Sequence, residues 1–257
     1  MDLGLAGRVA LVCASTGGLG LASAQALAAE GAAVAVTGRR GEVAAGIAAG
    51  MEQAVGIGAD LLAPGAPDAL VDQVTAALGP IDVLVLNGPG PAPGTAADLD
   101  PQGLAAAVER LVAPHVALVR RVLPGMRERG FGRIVAIGSS GIVSPLAHLV
   151  SSNAARAALA GYLKTLAGEV AADGVTVNLA LPGRIATERV AGLDRQAAER
   201  TGRDAAQVRA AAEASIPAGR YGTPEEFGAL VAFLSSARAS YVTGTAVRCD
   251  GGLVGSL

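Results

Sequence analysis

The chain has 257 residues, 51% of them apolar and 16% charged, with two cysteines and a formal net charge of −2. That apolar content can fill the core of one α/β domain spanning residues 1–257, and mixed charges summing close to zero exclude an electrostatic footprint for nucleic acid or an anionic membrane. A small molecule is the expected partner, and with neither a signal-type N-region nor an apolar run of spanning length the expected compartment is cytoplasmic.

Aliphatic and β-branched runs at 9–12, 33–36, 54–57, 83–86, 134–137, 175–178 and 245–248 alternate with alanine-rich helical stretches. Most of these runs are nearly unbroken in apolar residues, as strands buried on both faces are, and strands alternating with helices build parallel sheets. The expected fold is a doubly wound Rossmann α/β domain with a seven-stranded parallel sheet and helices on both faces. Within 68–78, Leu70, Val71, Val74 and Leu78 share one helical face. Gly88-Pro89-Gly90-Pro91-Ala92-Pro93-Gly94 reads as a stiff loop behind the fourth strand, not a domain boundary. Cys13 and Cys249 lie in apolar strand patterns without metal-ligand spacing, so both are expected as buried free thiols and no metal site is expected.

The first strand runs into Cys13-Ala14-Ser15-Thr16-Gly17-Gly18-Leu19-Gly20, which opens a helix carrying Leu21, Ala24 and Leu27. Glycines here let a backbone approach a pyrophosphate, and a helix N-terminus offers free N–H groups and a positive dipole end. After the second strand comes Thr37-Gly38-Arg39-Arg40, with no acidic residue to accept a ribose 2′-hydroxyl. Arg39, backed by Arg40, suits the 2′-phosphate of NADP instead, the alternative being a solvated basic turn.

Several motifs recur in a fixed order at the strand ends: the glycine turn, Asp60-Leu61, Asn87, Pro182-Gly183-Arg184-Ile185-Ala186-Thr187, Gly219 to Glu226, and Ser240 to Gly252. On these the whole chain resembles the short-chain dehydrogenase/reductase family, and in particular its 3-oxoacyl-[acyl-carrier-protein] reductase branch. The resemblance implies a dinucleotide held by Ala14, Ser15, Thr16, Gly18, Leu19 and Gly20, with Asp60 and Leu61 at the adenine. It also implies Asn87 as the second Asn of the family's Asn-Asn-Ala-Gly loop, from which Leu86, Gly88 and Pro89 depart, and Pro182, Gly183, Ile185 and Thr187 at the nicotinamide and pyrophosphate. Cys13 and Ala14 stand where the family writes Thr-Gly; a methyl at 14 is tolerated if that residue keeps a negative φ.

Family members transfer a hydride with the help of a Ser, an Asn and a Tyr-x-x-x-Lys pair. The resemblance places Ser139 at the serine, Leu149 at the tyrosine, Asn153 at the lysine and Leu111 at the asparagine. The sequence contains no Tyr-x-x-x-Lys anywhere. Tyr162 and Lys164 are two residues apart on a helix and diverge, so they are read as packing and surface. A general acid contributes about 10²–10⁴-fold, or about 3–5.5 kcal/mol of barrier, whereas orientation alone can supply about 7–11 kcal/mol. The candidates left near the site are Ser139, its neighbour Ser140, and His148, whose ordinary pKa of about 6.5 suits proton donation although its side chain diverges from that of Leu149. Asn153 can bond a ribose hydroxyl but carries no charge to depress a neighbouring pKa.

Residues 186–217 are expected to form a substrate lid whose charges, as in Asp194-Arg195, Glu199-Arg200 and Arg203-Asp204, make a solvated face with intrahelical pairs. The resemblance implies assembly through the helices that here start near Pro101 and Ser152, and their small residues (Ala105, Ala106, Ala107; Ala154, Ala155, Ala157, Ala158) permit close packing, so a homodimer or homotetramer is expected. The reading is an NADP-preferring oxidoreductase acting on a small carbonyl, alcohol or acyl-thioester substrate with a proton donor other than the usual tyrosine. The rivals are a nucleotide-binding pseudoenzyme and a non-redox enzyme in the same pocket.

Overall fold

A computed structural model describes residues 2–256. Its first half runs β1 (Val9–Val12), α1 (Gly18–Ala29), β2 (Ala33–Gly38), α2 (Gly41–Ala48), β3 (Ala54–Gly58), α3 (Ala66–Leu78) and β4 (Val83–Leu86). The second half runs α4 (Pro101–Leu111), α5 (Ala113–Glu128), β5 (Gly132–Ile137), α6 (Val150–Val170), β6 (Val175–Pro182), α7 (Glu188–Thr201), α8 (Ala205–Ala214), α9 (Pro224–Leu234) and β7 (Ala246–Cys249). The seven strands form one parallel sheet in the order β3-β2-β1-β4-β5-β6-β7.

Alternate residues of each strand feed two separate apolar layers, which explains why the strands carry almost no polar positions. Leu11, Leu84 and Ile134 face α3, α5 and α6, where Leu70, Leu118 and Leu163 meet them. Val12, Val85 and Val135 face the opposite way, toward Leu27 of α1, Ala44 of α2 and Phe227 of α9. Gly228 of α9 lets α1 come close, since a Cβ there would lie 2.5 Å from the Ala22 carbonyl oxygen. Of the two thiols, Cys13 is buried as expected but Cys249 is only half-buried, because β7 is an edge strand with one flank uncovered.

The strand order reverses between β1 and β4, so the connections leaving their C-terminal ends diverge to opposite sides of the sheet and open a crevice. Cys13 N–H donates to the Val85 carbonyl at 3.0 Å and holds β1 against β4 up to its lip. The turns following β1, β4, β5 and β6 therefore face one another around this opening.

Candidate functional site

The β1–α1 turn is fixed from below by Ser15. Its hydroxyl donates to the Val12 carbonyl at 2.8 Å and accepts from Thr37 N–H at 2.8 Å, while its own N–H donates to the Thr37 carbonyl. The side chain is fully buried and tied to β2, leaving the backbone as the part of Ser15 that faces the turn. Thr16 packs over Gly38, where an added Cβ would lie 2.9 Å from Thr16 Cγ2. Gly17 and Gly18 are exposed, and a Cβ on Gly17 would meet nothing within 4 Å. The amides opening α1, where Leu19 sits at the second position, thus lie beside open space with no intrahelical acceptor of their own.

Ala14 departs from the negative φ on which its tolerance was predicated: φ is +46°. The left-handed backbone aims the Ala14 carbonyl at Asn87, whose Nδ2 donates to it at 3.1 Å. Gly20 sits directly against this bond, since a Cβ there would lie 2.4 Å from the Ala14 oxygen and 2.8 Å from Asn87 Nδ2. Burial pushes the Cys13 thiol beneath the turn up to about 12, so it stays protonated and inert.

Across the crevice, a Cβ on Gly18 would come within 3.9 Å of Thr187 Cγ2, which brings the β1 and β6 turns together. Thr187 caps α7 by accepting from Val190 N–H at 3.4 Å. Pro182 ends β6, and Gly183 N–H donates to the Cys249 carbonyl on β7. Ile185 is buried and forms a bridge with Gly222. Arg39 and Arg40 are both exposed at the end of β2, and Arg40 precedes the first turn of α2. Asp60 is exposed, with one carboxylate oxygen accepting from Leu62 N–H at 3.2 Å, and Leu61 is partly buried against the core.

Asp194 corrects the picture of a uniformly solvated lid. It is buried, accepts from Tyr221 Oη at 2.9 Å and pairs with Arg184 at 2.9 Å. The reason is tertiary: α7 folds back over the β6 turn and turns this carboxylate inward. Glu188 and Arg195 do form an exposed pair within α7, and Asp204 caps α8 by accepting from Ala206 N–H.

At the β5 end, Ser139 accepts from Gly141 N–H at 3.1 Å and starts a single 3₁₀ turn that carries the buried Ser140. Gly141 lies between Ser139 and Asn153, because a Cβ there would be 3.2 Å from the serine oxygen and 2.5 Å from Asn153 Oδ1. The Asn153 amide is occupied: Nδ2 donates to the Leu146 carbonyl at 2.9 Å and Oδ1 accepts from Leu146 N–H at 3.4 Å. It pins the loop of residues 143–149 to the first turn of α6. Leu149 caps that helix, and His148 before it is exposed with φ +59°. The His148 carbonyl accepts from Gly94 N–H at 2.8 Å, which fastens this loop to the proline-rich one. Ser139 and Asn153 are thus brought together, whereas His148 projects from the rim. Leu111 is buried with Ala107 and Ala155 between α4 and α6.

Two further groups at this end escaped the sequence reading. His115 on α5 is buried, with Nδ1 2.8 Å from the Leu111 carbonyl and Nε2 3.4 Å from the Asn87 carbonyl, and burial holds its pKa below the ordinary value. Arg156 on α6 donates through Nη1 to the Ile137 and Gly138 carbonyls at 3.0 and 3.2 Å and through Nε to Ser152 Oγ at 3.3 Å. The only signals in the sequence were a lone histidine after Pro114 and a single cation in an alanine-rich run, with a serine one turn before it. Among the described residues no cluster of three or more His, Cys, Asp or Glu side chains is placed to hold a metal ion, and no helix is long and apolar enough to cross a membrane.

This geometry has counterparts among known proteins. The family model described as enoyl-(acyl carrier protein) reductase matches residues 13–254. Nodulation protein G of Azospirillum brasilense is 34% identical over 251 residues, covering 96% of this chain and 98% of that protein. The 3-oxoacyl-[acyl-carrier-protein] reductase of Vibrio cholerae is 32% identical over 255 residues, covering 98% and 99%. The structure of L-sorbose reductase from Gluconobacter frateurii, complexed with NADPH and L-sorbose, superposes over 100% of both chains with a TM-score of 0.93 at 32% identity. With a family match over residues 13–254, relatives above 30% identity and a shared fold, the chain belongs to the short-chain dehydrogenase/reductase family.

Proposed function

We propose that the chain is an NADP-preferring oxidoreductase acting on a small carbonyl or hydroxyl substrate, with a proton donor other than a Tyr–Lys pair. The observation that carries this reading is the convergence of the Gly17–Gly20 amides, Asn87 and Thr187 on the β1/β4 crevice. The turn fits a dinucleotide on its own geometry: Gly17 and Gly18 are bare toward open space, and the α1 dipole points its positive end there. Arg39, with Arg40 beside it, meets a 2′-phosphate at the end of β2, and Asp60 and Leu61 flank the adenine. That the sorbose reductase neighbour was solved with NADPH supports the same preference.

NADPH, when bound, supplies the hydride. Pro182, Gly183, Ile185 and Thr187 hold the nicotinamide side, and Ser139 orients the substrate carbonyl. His148 is the candidate proton carrier, Asn153 keeps the loop of residues 143–149 in register through Leu146, and residues 186–217 cover the substrate. The exposed Ala105, Ala106, Ala157 and Ala158 on α4 and α6 are the faces through which a homodimer or homotetramer packs. We place the protein in the cytoplasm.

One observation favours a second reading, a nucleotide binder without turnover. Asn153 spends both ends of its amide on Leu146, and Leu149 offers no proton. Titration of the purified protein with NADPH and NADH, followed by a nicotinamide-oxidation screen over ketones and acyl thioesters, separates the two. Turnover supports the oxidoreductase, binding with no turnover on any substrate supports the second reading, and no binding refutes both.

A further inference from the structure

Two guanidinium groups reach neighbouring loops at the mouth of the sheet, and neither is paired with an acid among the described residues. Side chains on a helix lean toward its N-terminus, so Arg156 reaches back one turn past Ser152 and lodges on the last carbonyls of β5. Its second terminal nitrogen, Nη2, has no hydrogen-bond partner among the described residues and is not sealed from solvent. β4 pairs with β5 in the register Leu86 to Ala136, so the loop leaving β4 through Gly88 and Gly90 runs beside Ile137 and Gly138. Arg189, from the first turn of α7, lies on that loop: a Cβ at Gly90 would be 2.5 Å from Arg189 Nη2.

Neither arginine has a carboxylate partner among the described residues; of the acids on α7, Glu188 pairs with Arg195 and Asp194 with Arg184 and Tyr221. Burial, and then the charge of Arg189, pull Arg156 down to about 10. Arg156 is drawn away from solvent beside a second, exposed cation; an anion joining the two relieves that, and a guanidinium fork matches a carboxylate in shape and charge.

We propose that Arg156 and Arg189 form a binding site for a carboxylate group on the substrate, beside Ser139 and across the Gly88–Gly90 loop. The site accepts an oxo acid or hydroxy acid in preference to its uncharged ester. This deepens the oxidoreductase reading and rests on it for the identity of the ligand as substrate.

The test is calorimetric binding of pyruvate and acetoacetate, and of their methyl esters, to the wild-type protein with NADP⁺ present, repeated on Arg189→Gln and Arg156→Gln. The expected result is at least one acid binding about tenfold or more tighter than its ester, with that preference lost in both variants and NADP⁺ affinity kept within about twofold. Arg189 is exposed, so its variant folds whether or not Arg156→Gln does. Equal binding of acids and esters by the wild type, or an acid preference that survives Arg189→Gln, overturns the proposal. So does a loss confined to NADP⁺ affinity, which would assign the guanidiniums to the dinucleotide. Failure of the wild type to bind NADP⁺ at all would instead refute the oxidoreductase reading, and the acid preference would still be read without it.

Discussion

Replacing Gly20 by alanine tests the floor of the crevice most directly. The new methyl would sit 2.4 Å from the Ala14 oxygen and 2.8 Å from Asn87 Nδ2, inside a hydrogen bond that spans only 3.1 Å. Neither neighbour is the loose end of a flexible chain: one is backbone in the left-handed region, and the other is a short amide held on β4. Overpacking of a tight site costs about 1–3 kcal/mol, and loss of the Asn87 bond adds about 0.5–1.5 kcal/mol. The sum of about 1.5–4.5 kcal/mol corresponds to a fall in Tm of about 3–18 °C for a chain of this size. Because the displaced carbonyl belongs to the turn proposed to face the nucleotide, NADPH affinity should fall at least about tenfold, or about 1.4 kcal/mol. Differential scanning calorimetry and an NADPH titration on the same sample measure both. A Tm within about 1 °C of wild type would refute the claim that the floor has no slack.

Ala14→Gly should stabilise the fold by about 0.5–1 kcal/mol, since relief of about 1–2 kcal/mol of left-handed strain outweighs the added freedom of the unfolded chain; a lower urea midpoint would contradict it. Asp194→Ala should cost about 1–3 kcal/mol, less than a fully sealed ion pair because Arg184 keeps access to water, and should speed proteolytic cleavage within 186–217. His115 has a folded pKa below its unfolded value, so its contribution to stability is present above about pH 6.5 and is lost as the pH falls below it. There the unfolded chain binds more protons than the folded one, with a slope of at most about 1.4 kcal/mol per pH unit. His115→Gln should flatten the urea-melt stability profile between pH 6.5 and 5.5, and an unchanged slope would exclude His115 as its source.

Strand positions were legible because burial on both faces leaves a local signature, an unbroken aliphatic run. All seven runs fall on observed strands, with ends displaced by a few residues at most. The position of the glycine turn was legible too, because it follows directly behind the first strand and opens α1. The direction of a hydroxyl was not: Ser15 looks available in sequence, but its oxygen is committed to Val12 and Thr37, more than twenty residues apart from each other. Asp194 reads as one charge among many on α7, and only the return of Tyr221 and Arg184 to the same place shows that it is buried. Arg156 is hidden in the same way, because the carbonyls that hold it belong to a strand nineteen residues earlier. Periodicity reveals which face of a helix is apolar, not which distant backbone atoms a long side chain will find.

The buried imidazole between two carbonyls makes an unusual joint. His115 faces the Leu111 carbonyl with one nitrogen and the Asn87 carbonyl with the other, but a neutral ring has only one N–H, and the 2.8 Å contact to Leu111 claims it. The junction of α4 and α5 is therefore fastened to the ring, while the cleft floor, which Asn87 carries along with Ala14, merely rests against it. In the neutral protein the floor can shift as it receives a ligand without dragging the helices along, and a second proton on the ring would weld the two into a single moving part.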